Sequence, residues 1–477
     1  MKKYDAIIVG SGPNGFAAAI TLQKIGLSTL IVEGADTIGG GMRTKELTLP
    51  GFRHDVCSAI HPMAMASPFM RSLPLSNFSL SFVDAKYEAA HPLLREEGTV
   101  LHRDLAKTIA DLGVDGSYYS DLIEPVVNNW DKLAKDTMGP LGVPKHPFNL
   151  AAFGLRAIQP ASWLARNFKT ERAKALWGGM AAHGIQPLDN LTTSAIGMVL
   201  LGVGHRYGWA IPRGGSQSIA NALESYYKSL GGEVQTGVWF SDRNELPEHK
   251  ILLLDMTPKQ LLNVKGLDFT SGYTKQLQRY KQGMGVFKID WALSEETPFT
   301  DLRAREAATV HVGGTFNDIA LSEEDGQRGK VTDKPFVLFT QQSKFDKTRA
   351  PEGKHTGWAY CHIPNGSTVD YTEIIENQIE QFAPGFKDTI LARHTFSPAQ
   401  MEAYNPNYVG GDINGGIMDI SQLYTRPILS LNPHRTSNKS VYICSSATPP
   451  GGGVHGMCGF HAARIALKDH FNISVSL

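Results

Sequence analysis

An α/β fold is predicted by two features of the first sixty residues and one of the whole chain. The run Ala6-Ile7-Ile8-Val9 is short, apolar and unbroken, as a parallel strand buried on both faces must be. It opens directly into Gly10-Ser11-Gly12-Pro13-Asn14-Gly15, a helix-like stretch follows, and a second apolar run then ends in an acid. This is the pattern of a Rossmann-type nucleotide domain. The length, 477 residues, exceeds one hydrophobic core and predicts two or three packed units, with a mixed α+β substrate domain beside the nucleotide domain.

Each position of the turn has a physical reason. Gly10 permits the tight bend, Gly12 lets the backbone approach a pyrophosphate, and Gly15 lets helix and strand pack closely. Pro13 suits the first helical turn, where its missing N–H would be unpaired. The free amides around Asn14 and the positive end of the helix dipole favour an anion. The helix is predicted from about Asn14 to Ile25, with Gly26 as its stop. The strand Thr29 to Val32 ends at Glu33, with Gly34 beside it. Glu33 follows Gly15 by 18 residues, where a carboxylate accepts hydrogen bonds from ribose hydroxyls and repels a 2′-phosphate. Next come Gly39-Gly40-Gly41-Met42-Arg43. Their glycines let the backbone pass close to a second large group, and the arginine can neutralise phosphate. An ordinary flexible loop fits the same glycines.

Composition excludes several functions. Lys+Arg and Asp+Glu both number 46, so no global field draws nucleic acid. The 42% hydrophobic and 19% charged residues describe a folded, soluble protein. Cys57, Cys361, Cys444 and Cys458 form neither a C-x-x-C pair nor a zinc spacing, which suits a reducing, cytoplasmic compartment and predicts no metal. The longest apolar run, near 195–204, is too short to span a membrane. Lys2 and Lys3 before an apolar stretch imitate a signal peptide, but the glycines interrupt it and it reads as structure. No second G-x-G-x-x-G unit, P-loop, H-E-x-x-H or G-x-S-x-G appears. Gly202-Val203-Gly204 reads as a helix end.

Further along, Ile211-Pro212-Arg213-Gly214-Gly215 is a turn before an amphipathic helix with Ile219, Leu223, Tyr226, Tyr227 and Leu230 at helical spacing. Val234 to Val238 reads as a strand returning to the nucleotide sheet, followed after a short polar stretch by Ile251 to Leu254. Val441 to Cys444 is a last buried strand, with a Gly/Pro loop and a helix predicted to begin near Val454. Val286 to Leu293, Phe336 to Thr340 and Gly357 to Ile363 suggest an antiparallel sheet. The nucleotide domain is expected to be discontinuous, 1–80, 205–265 and 405–477. Segment 81–204 supplies the helical part of the substrate domain, and 266–404 its sheet. Residues 149–180 place Arg156, Arg166, Lys169, Arg172 and Lys174 among Phe153, Trp163, Leu164, Phe168 and Trp177. Such a face fits peripheral contact with an anionic membrane, or a solvated helix with its aromatics in the core.

Four stretches carry a resemblance over nearly the whole chain: DAIIVGSGPNGFAAAITL with VEGADTIGGGMR, GWAIPRGGSQSIANALESYYKSLGGEVQTGV, TRAPEGKHTGWAYCHIP and YICSSATPPGGGVHGMCGFHAAR. In this order they resemble the phytoene-desaturase-like flavoproteins, which include carotenoid desaturases and retinol saturases. The similarity is closest to the branch called pyridine nucleotide-disulfide oxidoreductase domain-containing. The resemblance implies an FAD-binding domain of the glutathione-reductase and amine-oxidase type, and hydride transfer between flavin and a lipophilic, polyene- or isoprenoid-like substrate. It implies that Gly34, Gly40, Gly41, Met42 and Arg43 contact the cofactor and that Val238 presents backbone to the adenine. It also implies that Gly453, Val454, His455 and Met457 face the pyrimidine end of the flavin, where helix N–H groups stabilise negative charge.

Ser445 and Ala447 depart from the family's glycines, Pro449 stands where histidine is usual, and the hairpin that relatives insert after Val238 is missing. No acid–base pair stands out, so His455 and His61 are the candidates for the flavin face, each also readable as a hydrogen-bonded structural histidine. An amine-oxidase-like flavoenzyme and a non-catalytic FAD-binding partner protein are the alternatives.

Overall fold

The computed structural model describes residues 2–477. Five parallel strands form one sheet, in the order Val441–Ile443, His249–Leu254, Tyr4–Val9, Thr29–Val32, Glu233–Gln235. Alternate residues enter two different cores. Ile8, Ile31, Ile251 and Leu253 pack on one face, and Ile7, Leu30, Leu252 and Leu254 on the other. Unbroken apolar runs are what a sheet covered on both sides requires. Because the strands run the same way, Gly10, Glu33, Asp255 and Cys444, which follow four of them, come to one edge. In such sheets that edge is where ligands bind.

The two ends of the chain meet here. Helix Pro13–Gln23 packs against helix Met457–Phe471, and a Cβ placed on Gly459 would lie 1.8 Å from the Asn14 carbonyl oxygen. Only glycine permits that backbone approach. Asn14 Nδ2 also donates to Ser446 Oγ at 3.4 Å, joining the first motif to the last.

The second sheet has seven strands, in the order Ile390–Phe396, Gly285–Leu293, His355–Ile363, Val337–Thr340, Ala307–Val312, Tyr87–His91, Thr99–Leu101. All pairings are antiparallel except that of Ala307–Val312 with Tyr87–His91. Two of its strands thus come from 81–204, the segment expected to be helical. Register sets the faces. Lys288 pairs with Tyr360, Asp290 with Trp358, and Leu338 with both Tyr360 and His311, so these side chains share the inner face. The outer face carries Phe287, Ile289, Trp291, Val337, Phe339, Ala359 and Cys361 against Ile375, Ile379 and Phe382 of helix Thr372–Phe382.

Several expected boundaries move. The returning strand is Glu233–Gln235 rather than Val234 to Val238, because Gly237 turns at positive φ and Val238 N–H donates to the Glu33 carbonyl at 2.9 Å. The last helix begins at Met457, not near Val454. Gly453 and Gly456 both take left-handed backbone, and the His455 ring accepts the Met457 N–H at 3.0 Å. Gly202 and Gly204 lie inside helix Thr193–Tyr207, which stops at Gly208 with φ of 82°. Gly202 is small because Val126 packs against it.

Residues 149–180 form parts of three helices, Pro147–Ala157, Ala161–Ala165 and Glu171–Ala182. Leu164, Phe168 and Trp177 are buried, whereas Trp163 is 53% exposed. Among the described residues no helix is long and apolar enough to cross a membrane.

Candidate active site

A groove follows the edge of the parallel sheet and runs inward to the second sheet. Its outer part, about 270 Å³, lies among Gly10, Ser11, Glu33, Arg43, Trp239 and Phe240. Its inner part, about 310 Å³, reaches Trp358, Tyr360 and Leu338. Gly12, Gly40, Asp255, Asn405 and Asn407 border both parts, so the two spaces are neighbours that share one wall.

At the outer end, Glu33 accepts N–H bonds from Ser11 and Ala35, each at 2.9 Å, and lies 3.3 Å from Arg43 Nη2. Its carboxylate is therefore fixed at the C-terminal end of its strand. Trp239 lies over Gly34, where a Cβ would come 2.8 Å from the ring, and is 61% exposed. That leaves a flat aromatic surface beside Glu33, of the sort on which a purine stacks. Val238 is 41% exposed and precedes this ring without lining the groove.

In the middle, Gly15 could carry no side chain, since its Cβ would lie 2.0 Å from the Gly10 carbonyl oxygen. Gly39 and Gly40 have φ of 116° and 56°, and a Cβ on Gly40 would lie 3.0 Å from Gly12 Cα. Backbone thus approaches backbone at the glycine turns. Asn14 is buried and its Oδ1 has no partner. Arg43 is buried too. Its Nη2 donates to the Thr37 carbonyl at 2.7 Å and its Nη1 to Tyr404 Oη at 3.4 Å, so it offers charge more than free donors. Met42 is fully buried beneath this turn, and Gly41 lies against Tyr408 Oη.

The sequence pattern did not reveal Asp255. It ends the strand His249–Leu254, accepts the Gly15 N–H at 3.1 Å, and is pushed up to about 7 by burial, with the Glu33 charge adding to the shift. A carboxyl poised near neutrality repels a phosphate less than an ionised one.

Gly453 and Val454 border the inner part, whereas His455 and Met457 lie behind it. His455 is buried, with Nε2 3.2 Å from the Gly451 carbonyl and Nδ1 accepting the Met457 amide. His61 borders the cavity, with its Nε2 2.8 Å from Ser216 Oγ. Burial lowers both rings to about 4, so both are neutral near pH 7. Cys57 also borders the cavity. Burial pushes its thiol up to about 11, so it is protonated near pH 7.

Behind Trp358 lies an ionic cluster. Lys288 and Asp290 form a fully buried pair, Arg349 Nη2 donates to Asp55 Oδ2 at 2.7 Å, and Trp358 Nε1 donates to the Asp55 carbonyl at 2.9 Å. Burial raises Asp290 to about 6, and burial with the Lys288 and Arg349 charges lowers His54 to about 2. Met63, Ala64, Leu200 and Leu338 make the innermost cavity largely apolar, with Trp209, Trp358 and Tyr360 on its walls.

Fold and groove together define a Rossmann-type α/β protein whose sheet-edge groove neighbours a largely apolar cavity. Comparison with known proteins agrees. A family described as "NAD(P)-binding Rossmann-like domain" matches residues 8–73. The chain is 24% identical to the mouse (Mus musculus) "Pyridine nucleotide-disulfide oxidoreductase domain-containing protein 2", over 99% of this chain and 94% of the relative. It is 20% identical to one chain of the limonene dehydrogenase of Castellaniella defragrans, over 98% and 95%. To the "Phytoene desaturase (lycopene-forming)" of Pseudescherichia vulneris it is 19% identical, over 98% and 99%. Among solved structures, a putrescine oxidase superposes with a TM-score of 0.62 at 16% identity, covering 98% of this chain and 99% of that one. The resemblance read from the motifs therefore extends over the whole chain, and the protein is an oxidoreductase of the FAD/NAD(P)-binding class.

Proposed function

We propose that the groove binds FAD and that the protein moves a hydride between the flavin and one carbon of a compact lipophilic substrate, while the neighbouring carbon gives a proton to water or takes one from it, making or removing a carbon–carbon double bond. The observation that carries this is the succession of two neighbouring cavities along the edge of the parallel sheet. It begins at a ribose-type acid and an exposed indole, passes a glycine cradle, and ends in a buried apolar cavity. An adenine dinucleotide with a second ring system fits that succession. The unpartnered Asn14 Oδ1 and the close approach of Gly40 to Gly12 fit a phosphate-bearing group in the middle.

When bound, the flavin supplies a two-electron hydride acceptor or donor. The protein's own part is orientation and exclusion of water. Met63, Leu200 and Leu338 hold an apolar substrate where only alignment is required. The neutral His61 and the protonated Cys57 add no charge to the wall. A cavity of about 310 Å³, part of it needed for the flavin, suits a small molecule better than a long polyene.

A second reading, oxidation of an amine, is favoured by one observation. Trp358 and Tyr360 stand edge to face, 5.2 Å apart, on the cavity wall, although the final motif contains no aromatic beside its glycines. Peripheral membrane contact belongs to the same proposal. Phe148 (89% exposed), Leu155 (73%) and Trp163 are exposed apolar residues in the stretch of sequence that also carries Arg166 and Lys169. Reconstitution with FAD, then anaerobic reduction by candidate lipophilic donors and by amines, tests these readings. Bleaching of the flavin by an alkene-forming donor supports the first, and bleaching by an amine supports the second.

A further inference from the structure

We infer that the substrate is a compact apolar molecule ending in one neutral oxygen function, an alcohol or a carbonyl, seated against His183. The inference rests on the oxidoreductase reading above and specifies the chemistry of its substrate.

His183 caps the C-terminus of helix Glu171–Ala182, is half-buried, and borders the innermost cavity. Its Nε2 lies 3.1 Å from His311 Nε2, which leaves its Nδ1 edge for another partner. His311 reaches this place from strand Ala307–Val312, on the same sheet face as Thr309 and Leu338. Behind it His91 Nε2 lies 2.7 Å from the Gly314 carbonyl, and the unpartnered Nδ1 atoms of His91 and His311 lie against Gly179 of helix Glu171–Ala182 and do not border the cavity. Thr309 and Thr340 border the same cavity, both nine-tenths or more buried, and the Thr340 hydroxyl has no partner. A buried hydroxyl left unpaired carries a desolvation cost that a polar group on a ligand would relieve. The apolar outer face of the same sheet shows that this fold can fill such positions with Val, Phe or Ile. Polar groups concentrated around one end of an apolar cavity mark the place of a polar group on the ligand.

The charge of that group follows from what surrounds it. Among the described residues, Asp255 is the one acid bordering the inner cavity, at its cofactor end, and no Lys or Arg borders it. Burial lowers His183 to about 3 and His91 to about 4, and lowers His311 well below its ordinary range, so all three are neutral near pH 7. Glu323 and His362, paired at 2.7 Å, stand behind Tyr360 and do not reach the cavity. A carboxylate or an ammonium here would lose its hydration and find no counter-charge. An alcohol or carbonyl accepts or donates one hydrogen bond with a neutral imidazole and needs nothing more. Among the described residues no group of three or more His, Cys, Asp and Glu could hold a metal ion, so the histidines do not form a metal centre.

The test uses four probes on one ten-carbon skeleton: geraniol, geranic acid, geranylamine and the hydrocarbon myrcene. Each is titrated at pH 7 into FAD-reconstituted protein, read by flavin absorbance and by calorimetry. Geraniol is expected to bind about tenfold tighter than each of the others. His183→Leu is expected to bring geraniol down to the myrcene level without changing myrcene binding or flavin uptake. His183→Gln, which keeps a hydrogen-bonding group, retains most of the geraniol preference. Should His183→Leu fail to fold, Thr309→Val carries the same test with a smaller expected loss. Equal binding of geraniol and myrcene overturns the inference, as does tighter binding of the acid or the amine, or no binding of any probe. If the protein takes up no flavin, the oxidoreductase reading fails instead, and calorimetry on the flavin-free protein still decides what the cavity prefers.

Discussion

The two faces of the seven-stranded sheet follow opposite rules. On the outer face Phe287, Ile289, Trp291, Val337 and Phe339 are fully or almost fully buried against one another and a helix. On the inner face Leu338 and Trp358 stand among Lys288, Asp290, Thr309, His311, Thr340, Tyr360 and His362. Both faces are dry. One is packed for stability, while the other keeps ionisable and hydroxyl groups at a cost that apolar residues would avoid. Polar groups kept at such a cost are expected where a surface serves something other than folding.

The contrast is broken most forcefully from the outer side. Trp291→Ala removes the largest buried ring of that face and is expected to cost roughly 3–5 kcal/mol in a denaturant melt. The bound-flavin spectrum in the absence of denaturant should be unchanged. On the inner side Lys288→Met strands the Asp290 carboxyl and is expected to cost about 3 kcal/mol. The double variant Lys288→Met with Asp290→Leu should recover most of that loss, since two apolar residues replace a pair that burial already disfavours. A double variant no more stable than the single one would mean that the pair contributes net stability.

Acid comes next. His54 is held to about 2, His183 to about 3, and His61 and His91 to about 4, all lowered chiefly by burial. Unfolded, each takes up a proton near pH 6.5, so between about pH 6.5 and 4 the unfolded chain binds more protons and stability falls as pH falls. Asp255 and Asp290, raised to about 7 and about 6 by burial, work the other way. Folded, they keep protons that the unfolded chain releases above about pH 4, so their contribution is lost as pH rises toward 7. The histidines outnumber them, and melting temperature should drop on acidification from 6.5 to 4. Thr340→Val gives the smallest effect. It deletes an unpartnered hydroxyl and should leave stability unchanged or raise it by up to about 1 kcal/mol.

The nucleotide side was legible in the sequence because its logic is local. An apolar run, a glycine turn, a helix and an acid lie within the first 33 residues, and each has a reason that neighbours in sequence supply. The inner sheet face was not legible. His183, Thr309, Thr340 and Tyr360 come from separate segments, and only strand register and the packing of helix Glu171–Ala182 bring them to one cavity. The same limit explains the smaller errors. Val454 looked like a helix start until Gly456 took left-handed backbone, and Tyr87–His91 joined a sheet whose other main strands lie some two hundred residues on. Asp255 could have been found, since it directly follows a predicted parallel strand at the ligand-binding edge.

Titration of flavin-free protein with FAD, followed by absorbance and calorimetry, tests most directly whether the two ends of the chain build a cofactor groove. Equimolar uptake with a perturbed flavin spectrum is the expected result, abolished by Gly15→Val and weakened by Glu33→Gln. A protein that remains colourless and releases no heat on mixing would contradict it.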